Sequence, residues 1–86
     1  MQSMSRAQVR DQMAQVLAAQ GKRLPGGETG DSAELAEIGF RSLDFSELAL
    51  RVEDEVGMEL NFEAAGLRAI TTVGDVLDLL VELQQS

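Results

Sequence analysis

Three stretches of apolar residues at helical spacing constrain the fold of this chain more than any other feature. The first covers about residues 6–19, and Ser5 and Gln8 at its start are a pair typical of a capping box. The second, Ser42–Val56, is followed by Gly57, a residue type that commonly ends helices. Both stretches are therefore predicted to be helices with defined ends.

The third stretch lies near the C-terminus, where Thr72 and Asp75 resemble a second capping box. They are predicted to begin a last helix that runs to about Gln84. Asn61 is placed to cap a short third helix over residues 62–65. No run of residues alternates convincingly as a strand, so the sequence predicts an all-α protein.

Residues 22–41 are predicted to form a long loop, because glycine and proline interrupt their first half. Leu24, Leu35 and Ile38 would hold this loop by reaching into the core. The glycines do not form a phosphate-binding loop, since no Gly-Lys-Ser/Thr follows at the required spacing.

The length and composition favour one small domain. Eighty-six residues allow a single modest core, and we assign residues 1–86 to it. The chain has no cysteine and no histidine, which excludes disulfides, Cys- or His-based metal sites and a nucleophile–histidine pair. It has no signal-peptide core and no apolar run of membrane-spanning length. We expect a cytoplasmic monomer that begins at its own Met1, although a domain excised from a larger enzyme would look the same.

The net charge of −8 indicates which partners the surface favours. An acidic surface repels nucleic acid and anionic membranes. It favours a protein partner with a basic patch, because opposite fields steer encounter. Plain solubility is an equally simple explanation, so the charge alone does not identify a partner.

The second helix carries apolar residues on both of its faces. At about 100° per residue, one face collects the residues expected in the core, Phe45, Leu48, Ala49, Val52 and Val56. The opposite face collects Leu43, Glu47, Leu50 and Asp54. Two leucines among carboxylates are typical of a docking surface, where the leucines give contact area and the charges steer a partner. The alternative is that the preceding loop folds over both leucines, and the pattern favours neither.

Ser42 stands where the long loop meets the second helix. Helix N-termini present free N–H groups and a positive dipole end, which favour a bound phosphate. The simpler interpretation is that Ser42 caps the helix. The sequence around it lacks the G-x-S-x-G elbow of hydrolases, and the chain has no histidine to activate a serine nucleophile. Chemistry at Ser42 would therefore need another enzyme.

Two segments resemble those of one known family. Residues 35–48, LAEIGFRSLDFSEL, resemble the phosphopantetheine attachment segment of carrier proteins, in which Leu-Gly-x-Asp-Ser-Leu precedes a Glu-Leu pair. Residues 70–75, ITTVGD, resemble the start of the last helix in that family. The order of helices also agrees, so the resemblance spans nearly the whole chain.

The resemblance implies an acyl-carrier-like four-helix bundle with a long first loop and a short third helix. It implies that a separate Mg²⁺-dependent phosphopantetheinyl transferase esterifies Ser42 with 4′-phosphopantetheine from coenzyme A. The thiol of that arm would hold acyl groups as thioesters, sheltered between helices or delivered to other enzymes. The carrier itself would not be an enzyme.

The resemblance also assigns a docking surface. Its expected members are Leu43 and Leu50 with the acidic residues Asp44, Glu47, Glu53 and Asp54. The implied partners are the transferase and pathway enzymes such as a ketosynthase or an acyltransferase, each with a basic docking patch.

Arg41 departs from the family pattern, which has aspartate immediately before the serine. Which transferase accepts Arg41 is therefore open. We hypothesise that Arg41 contacts the phosphate of the arm, because guanidinium groups bind phosphate well. The alternative is a solvated arginine.

The pathway is assigned by resemblance alone. Phe40 before Arg41 resembles carriers of polyketide and peptide synthases, whereas residues 42–44 and 71–75 resemble fatty-acid-type and stand-alone polyketide carriers. We expect a discrete carrier of a bacterial polyketide or other natural-product pathway. A carrier of fatty-acid synthesis and an aminoacyl or peptidyl carrier are the alternatives. A different class also stays open, an unmodified helical adaptor that binds a partner through Leu43 and Leu50.

Overall fold

The computed structural model describes residues 3–24, 28–60 and 70–84, and this part of the chain is helical. Its helices are α1 (Arg6–Ala18), a 3₁₀ helix (Glu28–Ser32), α2 (Leu35–Ile38), α3 (Ser42–Val56) and α4 (Val73–Leu83). Within these ranges the β structure is limited to one isolated bridge between Glu34 and Thr72. The all-α fold class is thus confirmed. The predicted short helix over residues 62–65 lies outside the described residues.

The predicted helix ends are confirmed by their hydrogen bonds. At the start of α1, the N–H of Gln8 donates to Ser5 Oγ (3.2 Å) and the N–H of Ser5 donates to Gln8 Oε1 (2.8 Å). Thr72 and Asp75 form the same reciprocal pair at the start of α4. Gly57 ends α3 with a φ of 72°, a left-handed conformation that costs glycine little.

The segment predicted as a long loop is more ordered than the sequence indicated. The 3₁₀ helix and the single turn of α2 both lie inside residues 22–41. Backbone bonds to the start of α4 hold this segment: Leu35 N donates to the Thr71 carbonyl (2.9 Å), and Val73 N donates to the Ala33 carbonyl (3.0 Å). Elements of one turn are too short to show a helical period, so the sequence did not reveal them.

An ion-pair cluster also fastens this segment to the helices. Arg6 and Arg10 of α1 both contact the carboxylate of Asp31, and Arg6 also contacts Asp78 on α4. Three parts of the fold therefore meet at one cluster.

The core lies between α1, α3 and α4. The predicted inner face of α3 is confirmed, because its five apolar residues are all buried. They pack with Val9, Met13, Val16 and Leu17 of α1 and with Val73, Val76, Leu77 and Leu80 of α4. Phe40 and Leu60 complete the core from either end of α3.

Candidate functional site

Ser42 is the first residue of α3, and its side chain is exposed. The capping position belongs to Arg41, whose backbone is extended (φ −107°, ψ 178°). The Asp44 carboxylate accepts the Arg41 N–H at 2.8 Å, which is the acidic half of a capping box. The simple cap interpretation of Ser42 is therefore wrong, and its hydroxyl is available at the surface.

The backbone on both sides of Ser42 is anchored. Gly39 ends α2 in a left-handed conformation (φ 77°), which turns the chain sharply towards α3. Phe40 then enters the core (5% exposed), and Phe45 enters it one turn later (7% exposed). Two buried rings thus hold the short exposed stretch that carries the serine.

A cleft of about 560 Å³ opens beside Ser42. Its apolar walls include Leu35, Phe40, Phe45 and Ile70. Arg41, Ser42 and Ser46 add polar groups to its lining. A chain attached to the Ser42 hydroxyl would therefore start beside an apolar surface, with a cation next to its point of attachment.

The outer face of α3 is uncovered. Leu43 is 84% exposed and Leu50 is 61% exposed, so the preceding loop does not fold over them. Glu47 and Asp54 are exposed on the same face, and Glu47 Oε1 lies 3.9 Å from the guanidinium of Arg51. These four predicted docking residues form one continuous surface, which we call the α3 outer face: Leu43, Glu47, Leu50 and Asp54.

The other two predicted docking residues have internal contacts. Asp44 is buried (7% exposed), and its carboxylate bonds within the protein. Glu53 is half-buried and accepts the N–H of Leu60 at 2.8 Å, which holds the chain after α3 against that helix. The structure therefore does not bring them into the α3 outer face.

Gln20 and Lys22 contact the residues on either side of Ser42, and the sequence did not predict these contacts. The Gln20 amide donates to Asp44 Oδ1. Lys22 Nζ donates to the Gly39 carbonyl at 2.7 Å and to Gln20 Oε1 at 3.0 Å. Both residues follow α1 in a stretch without helical periodicity, so no signal in the sequence links them to Ser42.

Burial by itself would raise the pKa of the Asp44 carboxyl, but hydrogen bonds and nearby positive charges lower it by more. The Arg41 N–H and the Gln20 amide donate to the carboxylate, and the charges of Lys22 and Arg41 favour its ionised form. The net result is a pKa below the ordinary value for aspartate. Asp44 is thus held as a buried carboxylate in the first turn of α3, two residues after Ser42.

The lowered pKa of Asp44 predicts an acid-dependent loss of stability. A group with a depressed folded-state pKa stabilises the fold above its unfolded pKa, and that stability disappears as the pH falls through the folded value. For Asp44 the loss should begin near pH 5 and continue below pH 4, about where an unfolded aspartate titrates.

Asp44→Asn is therefore expected to lower the free energy of unfolding at pH 7 and to flatten its acid dependence, measured by urea unfolding across pH. Asp54→Asn removes the same charge from an exposed site on the same helix and is the control. Parallel pH curves for Asp44→Asn and the wild-type protein would contradict this assignment.

Within residues 3–24, 28–60 and 70–84, no group of three or more acidic side chains is placed to hold a metal ion. No helix in those ranges is both long enough and apolar enough to span a membrane.

A small helical domain with an exposed serine at a helix N-terminus, beside an apolar cleft, has the features of a carrier domain. The family model described as "Phosphopantetheine attachment site" matches residues 7–80. The chain belongs to this phosphopantetheine-binding family and, within it, to the acyl carrier proteins.

Individual relatives agree with this assignment. An acyl carrier protein of Saccharopolyspora erythraea is 40% identical over 81 residues, which are 93% of this chain and 82% of that protein. The solution structure of MacpD, an acyl carrier protein of Pseudomonas fluorescens involved in mupirocin biosynthesis, is 31% identical with a TM-score of 0.65, over 94% of this chain and 69% of that one. An acyl carrier protein from Thermotoga maritima has the same fold (TM-score 0.68, 23% identity, covering 99% and 96%).

The predicted cofactor is also confirmed: members of this family carry covalently attached phosphopantetheine. The described residues fit this group. An exposed hydroxyl that takes no part in capping stands at the N-terminus of a 15-residue helix, where N–H groups and the helix dipole favour a phosphate. The neighbouring apolar cleft offers a surface to the chain beyond it.

Proposed function

We propose that Ser42 is the phosphopantetheine attachment site of a non-catalytic acyl carrier that works in the cytoplasm. It holds acyl intermediates as thioesters and delivers them to partner enzymes. The observation that supports this proposal most is the exposed hydroxyl of Ser42, which is the first residue of α3 and does not occupy the capping position, because Arg41 does.

The residues of the chain bind and orient but do not catalyse. The arm, when bound, supplies a terminal thiol that forms a thioester with the acyl group. Ser42 Oγ provides the ester oxygen, and the first turn of α3 favours the adjacent phosphate. The chain has no histidine to act as a base, and we assign removal of the serine hydroxyl proton to a group of the transferase.

Loading by a transferase tests this function directly. The full chain would be incubated with coenzyme A, Mg²⁺ and a broad-specificity phosphopantetheinyl transferase, and its intact mass would be measured. A gain of one phosphopantetheine is the expected result. No gain with several transferases would favour the unmodified helical adaptor that binds through the α3 outer face.

The α3 outer face is the proposed docking surface for the transferase and for enzymes such as a ketosynthase or an acyltransferase. Leu43 and Leu50 would provide the apolar contact, and Glu47 and Asp54 would attract a basic patch on the partner. Asp44 and Glu53 contribute their charge to the acidic field while their carboxylates hold the fold.

A role in a bacterial polyketide or related natural-product pathway is supported by the relatives. MacpD, which is involved in mupirocin biosynthesis, matches nearly the whole of this chain. Mass analysis of acyl groups that co-purify with the loaded protein tests this assignment. A polyketide intermediate would support it, whereas a plain fatty acyl or an aminoacyl group would indicate one of the other carrier types.

Arg41 is proposed to hold the phosphate of the arm. Its side chain is exposed and lines the cleft next to Ser42. A guanidinium in this position can donate to a phosphate esterified to the neighbouring serine.

Arg41→Asp should leave the arm more mobile, because it replaces a cation that attracts the phosphate with an anion that repels it. Phosphorus and proton relaxation of the loaded protein measure this mobility. Arg23→Asp makes the same charge change at an exposed position that does not line the cleft, and serves as the control. Equal mobility in the Arg41 variant and the wild-type protein would show that Arg41 is simply solvated.

A further inference from the structure

The turn that follows α1 reaches the attachment segment from two directions. Lys22 Nζ donates to the Gly39 carbonyl at 2.7 Å, across 17 positions of sequence. Gln20 donates to the carboxylate of Asp44, across 24 positions. Gly39 precedes Ser42 and Asp44 follows it, so the two contacts bracket the serine.

The two contacts are joined into one network. Lys22 Nζ also donates to Gln20 Oε1 at 3.0 Å, which orients the Gln20 amide towards Asp44. Asp44 in turn accepts the N–H of Arg41 at 2.8 Å. We call the Gln20 and Lys22 side chains with these bonds the α1 clasp.

The clasp is closely fitted at its Gly39 contact. A methyl group placed on Gly39 would come within 3.0 Å of Lys22 Nζ and 3.1 Å of Lys22 Cε. Lys22 is half-buried, and its charge also favours the ionised form of Asp44. The lysine therefore fills space against the attachment segment as well as binding it.

We propose that Gln20 and Lys22 are positioning residues that hold the Ser42 hydroxyl in place for the enzyme that modifies it. This role rests on the proposed attachment at Ser42. The buried rings of Phe40 and Phe45 hold this stretch at its two ends, while the side chains of Arg41, Ser42 and Leu43 between them are exposed. The clasp adds a second restraint, from the turn that follows α1.

A positioning role predicts an effect on turnover. The transferase must align the phosphorus of coenzyme A with Ser42 Oγ, and small displacements of a reacting atom cost much of the rate. Loss of the clasp would reduce the fraction of encounters in which the hydroxyl is aligned. The α3 outer face would be intact, so binding of the transferase would change less than turnover.

The test compares Lys22→Met with Arg23→Met in the full chain. Each variant removes one positive charge, and the two positions are adjacent, but Arg23 is exposed and makes none of the hydrogen bonds that define the clasp. For Lys22→Met we expect kcat/KM for loading to fall on the order of 10-fold, mostly in kcat. Arg23→Met should stay within about twofold of the wild-type protein. Gln20→Leu, which removes the other contact, should resemble Lys22→Met.

Amide hydrogen exchange provides a readout that does not depend on loading. Lys22→Met should speed exchange at Arg41 and Phe45, whose N–H groups bond at the start of α3, while buried amides of α4 keep their protection. Unchanged exchange and unchanged kcat would overturn the positioning role. Faster exchange with unchanged kcat would also overturn it, because the clasp would then be only structural. If no transferase loads the wild-type protein, the proposed function fails, and unchanged exchange would still refute the clasp.

Discussion

Replacing Ser42 with alanine is expected to abolish loading of phosphopantetheine completely, while the fold is retained. The hydroxyl oxygen is the atom that forms the ester, and the variant has no substitute for it. Ser42 is exposed and is not the side-chain cap of α3, so the change in unfolding free energy should be within about 0.5 kcal/mol. Intact mass after incubation with coenzyme A and a transferase measures loading, and thermal unfolding measures stability.

Ser46→Ala is the matched control for this experiment. Ser46 is also exposed, lies on the same helix and lines the same cleft. It should load as the wild-type protein does. Residual loading of Ser42→Ala, or loss of loading in Ser46→Ala, would refute Ser42 as the attachment site.

The second large effect is expected at the α3 outer face. Leu43→Ala and Leu50→Ala should each weaken productive binding to the transferase, with KM rising about 10-fold or more, because buried apolar anchors dominate interface energies. Their stability should change little, since the side chains are 84% and 61% exposed. Loading kinetics and thermal unfolding of the same preparations separate the two effects.

Two variants on the same helix serve as controls for the leucines. Leu50→Met keeps most of the apolar contact area, so its KM for the transferase should stay close to that of the wild-type protein. Leu48→Ala, on the fully buried face, should instead destabilise the fold by about 2–5 kcal/mol through the cavity it leaves. Wild-type KM values for both outer-face alanine variants would exclude this surface as the docking site for the transferase.

Most of the secondary structure was predictable because its determinants are local. The capping box of Ser5 and Gln8, the ending glycine Gly57 and the apolar period of α3 each involve residues within a few positions of one another. Such patterns act through backbone geometry, which is the same wherever the helix sits in the fold. The inner face of α3 could be assigned for the same reason.

The short elements of the long loop could not be predicted. The single turn of α2 depends on a hydrogen bond from Leu35 N to the Thr71 carbonyl, which a helical period does not report. The Asp31 cluster likewise joins residues of α1 and α4 that are far apart in sequence. Such contacts depend on how the helices pack against one another, which no local pattern reports.

Ser42 shows most clearly what each level of information determined. The sequence alone placed a serine at the start of a helix, within a segment that resembles the attachment site of carrier proteins, but its position favoured a simple cap. The structure places Arg41, not Ser42, at the capping position, and only the tertiary packing brings Gln20 and Lys22 to the residues on either side of the serine. The physical reason is range: helix periodicity and caps act over about one turn, whereas burial of Asp44 and exposure of Leu43 depend on how α1 and α3 pack.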